Sequence, residues 1–161
     1  MCGIVGYVGM RSAQQVLLDG LEKLEYRGYD SAGVALTQRD GIRVVKSKGR
    51  LSTLRSKLEE LALPQSSCGI GHTRWATHGE PSTVNAHPQY TREKRVVIVH
   101  NGIIENYQEI KEALARKGYT FSSQTDTEVA AALLDSYYVE AGKKGLSPRE
   151  RALDAIRNMM I

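Results

Sequence analysis

The hydrophobic positions of this chain change period several times, and each change marks an element. Residues 3–9 alternate small and β-branched side chains and read as a strand. Val16, Leu17, Leu21 and Leu24 then share one helical face, with Ser12 and Gln15 spaced as a capping box ahead of them. Gly28 predicts the end of that helix near Arg27, because glycine is favoured just past a helix C-terminus. Two runs, 32–38 and 42–48, flank Arg39-Asp40-Gly41 and predict a hairpin. Leu51, Leu54, Leu58 and Leu61 predict a second amphipathic helix, stopped by Pro64.

Residues 68–73 read as a short apolar strand. The stretch from Arg74 to Gln89 is rich in Gly, Pro and His and fits neither period. Val96 to Val99 is a continuous β-branched run and predicts a buried strand. Tyr107, Ile110 and Leu114 mark a third helix ended by Gly118, and Thr125 to Glu128 opens a fourth that carries Val129, Leu133 and Leu134. Ser147-Pro148-Arg149-Glu150 opens the last, with Ser, Pro and Glu at the N-cap, N1 and N3 positions. Strands and helices mix with hairpins, without repeats or linkers. The pattern predicts an α+β layered domain rather than a parallel βαβ sheet.

Composition narrows the class. The 161 residues suffice for one domain with a hydrophobic core, and 41% apolar with 25% charged residues is ordinary for a soluble protein. No apolar run approaches the roughly 20 residues that cross a bilayer, and the N-terminus lacks the basic and apolar regions of a secretory signal. The chain therefore reads as cytoplasmic, with no membrane partner. Its net charge of +4 is spread along the chain without a basic block, and one Phe and one Trp supply no stacking platform. Nucleic acid is not an expected partner.

Candidate chemistry begins with the two cysteines. A Cys2–Cys68 disulfide is disfavoured by a reducing compartment. Removal of Met1 would give Cys2 a thiol and an α-amine on one residue. Free amines and thiols titrate at about 7.7–8 and about 8.5, so such an amine can act as base for its own nucleophile. A lone cysteine is otherwise a small buried hydrophobe.

The stretch Gly71-His72-Thr73-Arg74-Trp75-Ala76-Thr77-His78-Gly79 leaves a strand into a polar loop. Arg74 offers a donor fork for a carboxylate or a surface ion pair, and Trp75 suits either a pocket wall or the core. Asn101-Gly102 can aim two donors at one oxygen, as an oxyanion hole requires, or can form a tight turn. Asp126 suits a helix cap better than an ammonium site on local grounds. Cys68, His72, His78 and His87 lack the paired spacings of zinc sites, and no phosphate-binding glycine fingerprint occurs, so neither metal nor nucleotide is expected.

Together these pieces resemble a known family. Met1-Cys2-Gly3-Ile4-Val5-Gly6, Tyr26-Arg27-Gly28-Tyr29-Asp30-Ser31-Ala32-Gly33, His72 to Gly79, Asn85-Ala86-His87-Pro88, His100-Asn101-Gly102 and Thr125-Asp126-Thr127-Glu128 follow the order found in class II glutamine amidotransferases. His72 to Gly79 and Glu25 to Gly33 most resemble the glutaminase domain of glutamine:fructose-6-phosphate amidotransferases. The match runs over about residues 1–130. The resemblance implies an N-terminal-nucleophile fold, a four-layer α-β-β-α sandwich of antiparallel sheets. It implies Cys2 as nucleophile with its α-amine as base, Asn101 and Gly102 as the oxyanion hole, and Arg27 in a loop beside the nucleophile. L-glutamine is then the substrate, its carboxylate on Arg74, its ammonium on Asp126, and its pocket lined by Trp75, Thr77, His78 and Gly102. No cofactor is implied.

In that family the glutaminase domain continues past the point where Ile161 ends this sequence. Residues 1–161 are thus expected to form a C-terminally incomplete type-2 domain, lacking the isomerase domain that accepts ammonia. Arg157 to Ile161 ends apolar, so exposed faces and self-association are expected. A bond to Met1 would remove the amine of Cys2. Two other readings stand beside this one: a catalytically silent interaction module, and the glutaminase of a phosphoribosylamine- or asparagine-forming synthetase, against which Trp75 and Thr77-His78 argue.

Overall fold

Residues 2–28, 30–75 and 80–160 are described by the computed structural model of this chain. Four antiparallel strands make its main sheet: β1 (Gly3–Val8), β2 (Ser31–Gln38), β3 (Gly41–Lys48) and β4 (Cys68–Arg74), in the order β1-β4-β2-β3. The β2–β3 hairpin pairs Gln38 with Gly41 across Arg39 and Asp40, and Gly41 takes φ +130°, open to glycine but strained for other residues. Strand β4 lies at the centre, pairing Gly3 with Thr73 on β1 and Ser31 with Arg74 on β2. That register carries the N-terminus of the chain to the C-terminal end of β4.

One face of the sheet is the core. Leu17 and Leu21 of α1 (Ala13–Leu24), Leu54 and Leu58 of α2 (Leu51–Leu61), and Val34, Leu36 and Val45 of the sheet are buried together. Burying each such side chain contributes about 1.5–3 kcal/mol, so this face anchors the fold. Gly71 of β4 allows α1 to approach, since a Cβ there would lie 2.9 Å from Leu21 Cδ1.

The other face carries a second layer. Segment 84–90 crosses it, held by Lys46 Nζ donating to the Val84 carbonyl at 2.9 Å and lying over the Tyr90 ring. It runs into β5 (Gln89–Tyr90), which pairs with β6 (Val97–Ile98). Behind this ribbon stand α3 (Tyr107–Arg116), α4 (Asp126–Lys143) and α5 (Pro148–Met159). The layers therefore follow in the order helix, sheet, sheet, helix, the second sheet being a short ribbon. Fully buried Asp135 of α4 accepts both Arg95 Nε and Nη2, at 2.8 and 3.0 Å, which ties α4 to the lead into β6. Burial and that carboxylate push the Tyr119 hydroxyl up to about 12.

Several local expectations change. Ser12 makes no side-chain cap, and Gln15 donates instead to Asp19 at 2.7 Å, one turn along. Helix α1 ends at Leu24 and tightens into a 3₁₀ turn, Glu25–Arg27, before Gly28. The expected buried strand 96–99 shrinks to Val97–Ile98 and is half-buried, because β5 offers only two residues for pairing. At α4, Thr125 accepts the Glu128 N–H, but Glu128 reaches back to the N–H groups of Ser122 and Ser123 instead of Thr125. The capping box at Ser147 and Glu150 is complete. Cys2 and Cys68 are both unbridged thiols. Among the described residues no helix is long and apolar enough to cross a membrane.

Candidate active site

Strand β4 leaves the sheet beside the start of β1, and this junction builds the site. The Trp75 N–H donates to Cys2 Sγ at 3.3 Å, and the thiol faces the Trp75 carbonyl at 3.5 Å. Arg74, the last residue of β4, is buried, and its carbonyl accepts the Asp30 N–H at 3.1 Å. Gly28 lies against this backbone: a Cβ there would be 2.9 Å from both Arg74 C and Trp75 N, so only glycine fits.

The loop after β6 closes on Cys2 from the second layer. Asn101 Nδ2 donates to the Cys2 carbonyl at 3.2 Å, while Asn101 Oδ1 lies 2.7 Å from His72 Nε2. The Ile104 N–H donates to Asp126 Oδ2 at 2.9 Å. Asp126 is the first residue of α4, and Thr125 supplies the N-cap, so the carboxylate is released from capping and holds the 102–104 turn. The positive end of the α4 dipole lies at the same place and favours negative charge there.

These elements enclose a cavity of 60 Å³. Its lining brings together Cys2, Arg74, Trp75, Gly102 and Asp126, which the sequence singles out. It also includes His72, His87 and Thr127, to which the sequence assigned no role, and Thr125, which the sequence marked only as the start of α4. His72 was legible in principle, because two-residue alternation along β4 sets it on the same face as Arg74. His87 lies in the irregular stretch, where no period reports a face. Thr77 and His78 lie outside the described residues. Arg27 is exposed in the 3₁₀ turn, donating to Tyr26 Oη at 2.8 Å with its guanidinium over that ring, and does not line the cavity. Trp75 is 48% exposed at the mouth.

The two histidines are neutral. Burial pushes His72 down to about 4, against the opposing hydrogen bond to Asn101. Burial, with His72 and Arg74 nearby, pushes His87 down to about 2. Their rings lie 4.5 Å apart, and His87 Nδ1 accepts the His100 N–H at 3.5 Å. The site thus sets a guanidinium and a carboxylate around one thiol, with amide donors beside it, an arrangement suited to a zwitterionic amino acid. An apolar cavity of 340 Å³ lies elsewhere, between β2–β4 and α4–α5. Cys68, at the far end of β4, lines that one.

Residues 59–149 match the family model described as a glutamine amidotransferase domain. The glutamine--fructose-6-phosphate aminotransferase (isomerizing) of Thermus thermophilus is 58% identical over 138 residues, which cover 86% of this chain and 23% of that protein. Its counterpart in Clostridium perfringens is 56% identical over 138 residues, covering 86% and 22%. The chain thus spans under a quarter of the length of these curated relatives. Among solved structures, the glutamine phosphoribosylpyrophosphate amidotransferase from B. subtilis superposes with a TM-score of 0.75 over 98% of this chain and 32% of its own, at 24% identity. The fold described above is that of the superposed third of that amidotransferase.

Proposed function

The chain belongs to the glutamine amidotransferase domain family, and from that premise we propose that it hydrolyses L-glutamine to L-glutamate and ammonia through a thioester on Cys2. Once Met1 is removed, the α-amine of Cys2 takes the thiol proton. The thiolate adds to the glutamine side-chain carboxamide carbon, and Asn101 with the Gly102 N–H holds the oxyanion. Ammonia leaves with the proton from the α-ammonium, giving the γ-glutamyl thioester. Water then adds with the amine again as base, and collapse releases glutamate and the thiol. Arg74 binds the substrate carboxylate and Asp126 its ammonium, while Trp75, Thr77, His78 and Gly102 complete the pocket; Arg27 stands outside the cavity, on the turn that leads into Gly28. The chemistry requires neither metal nor organic cofactor.

The observation that supports this reading most is one cavity holding Cys2, Arg74, Gly102 and Asp126 together. By the same reading the ammonia passes to fructose 6-phosphate, for which the relatives are named, at an isomerase domain, with residues 1–161 acting as the type-2 glutaminase domain in the cytoplasm. A silent interaction module is the second reading, favoured by a cavity of only 60 Å³. Intact mass reports Met1 removal, and glutamate release by the processed chain separates the two readings. An electrophilic glutamine analogue is expected to label Cys2; an adduct on another residue would sink the assignment.

A further inference from the structure

We propose that His72 is a positioning residue: it donates from Nε2–H to Asn101 Oδ1 and thereby turns the Asn101 amide so that its N–H groups face Cys2 and the substrate. This rests on the reading of Asn101 as an oxyanion donor and adds what orients it.

A side-chain amide has two nearly isosteric orientations, and only its partners choose between them. Asn101 has one on each side: the Cys2 carbonyl, 3.2 Å from Nδ2, and His72 Nε2, 2.7 Å from Oδ1. A carbonyl can only accept. With the amide reversed, two oxygens would face each other beside Cys2, and the donor hydrogens would point away from the thiol. The imidazole enforces the observed orientation only if Nε2 carries the proton, which leaves Nδ1 bare. His72 Nδ1 is buried without a partner among the described residues, as that tautomer leaves it. The ring is also neutral: an imidazolium would donate from Nε2 as well, but it would set a second buried cation beside Arg74 and a proton on the unpartnered Nδ1. The other groups facing the ring are Asp30, His87 and His100; burial, reinforced by Arg74 and His100, outweighs the opposing Asn101 hydrogen bond and Asp30. The ring itself is fixed by β4 on one side and by the tilted His87 ring on the other.

The bracket extends to the backbone. His87 takes the His100 N–H, and Asp126 takes the Ile104 N–H, so the residues on either side of Asn101-Gly102 are held as well. One Nδ2 hydrogen engages Cys2, and the second is left for the developing oxyanion. Donors that need no reorganisation contribute most to this kind of stabilisation.

The test uses the Met1-processed chain and two independent readouts. In long-range proton–nitrogen correlation spectra of histidine-labelled protein, the signal lost on His72→Gln is expected to report a proton on Nε2 and a bare Nδ1. In glutamine hydrolysis, His72→Leu is expected to lower kcat by about 10²–10³-fold, the scale of losing one oxyanion donor, with KM within about threefold. His72→Gln, whose amide N–H reaches the same place, is expected to recover most of that loss. A proton on Nδ1, a His72→Leu enzyme of unchanged kcat, or failure of His72→Gln to exceed His72→Leu would overturn the proposal. If the unsubstituted chain releases no glutamate, the hydrolytic reading fails, and the tautomer alone decides whether His72 orients Asn101.

Discussion

Asp126 illustrates how one carboxylate takes two tasks when a neighbour relieves it of a third. Thr125 caps α4, so Asp126 holds the Ile104 N–H and still borders the cavity. Asp126→Asn keeps an oxygen acceptor for Ile104 and removes only the charge. It is expected to raise KM for glutamine about 10–100-fold, the value of a charged hydrogen bond, with little change in melting temperature. An unchanged KM in steady-state assays would exclude the ammonium role. The buried histidines give a second prediction at this scale. Their pKa values in the fold, about 4 and about 2, lie below the ordinary 6.5. As pH falls the unfolded chain therefore takes up protons before the folded one, so the stability present above pH 6.5 is lost between 6.5 and 4 and keeps falling below that. His72 alone accounts for about 3 kcal/mol of this. Urea midpoints at pH 7.5, 6 and 5 are expected to fall in that order, and more shallowly in His72→Gln.

Between elements, the contact that positions the site is β2 against the segment leading into β5. Gly33 lies beneath the His87 carbonyl, and a Cβ there would overlap that oxygen, which is backbone and cannot swing aside. Gly33→Ala is expected to destabilise the fold by at least about 1–3 kcal/mol, the range for overpacking. It is also expected to lift His87 from His72. A chemical-denaturation midpoint together with the His72 nitrogen shifts would report both effects, and an unperturbed His72 signal would contradict the coupling. The main sheet tolerates this tight approach because its opposite face is anchored by α1 and α2.

For the whole molecule, the edges of the main sheet decide its behaviour in solution. Among the described residues strand β1 pairs on one side only, and it leaves Ile4 at 42% and Val8 at 81% exposure, with Met10 just beyond. An unpaired apolar edge is a template for another strand. Sedimentation velocity is expected to show self-association rising with protein concentration, and Val8→Lys is expected to reduce it without lowering the melting temperature. A stable monomer at high concentration would rule this edge out as an association surface.

The sequence by itself determined what depends on neighbours along the chain. Leucine spacing set α2 at Leu51–Leu61, and Arg39-Asp40-Gly41 set the hairpin, because helix and strand periods and turn dihedrals are local. Ordered motifs likewise supplied Cys2, Arg74, Gly102 and Asp126, which the fold gathers at one cavity. Periodicity reports that a face is covered but not by what, and this limits the rest. The run at Val96–Val99 became a two-residue strand because its length depends on β5, and Gln15 turned to Asp19 while the distant Ser66 carbonyl took the Ala13 N–H at the start of α1. Only the tertiary structure decided the direction of the Asn101 amide, since its two partners, His72 and Cys2, lie 29 and 99 residues away.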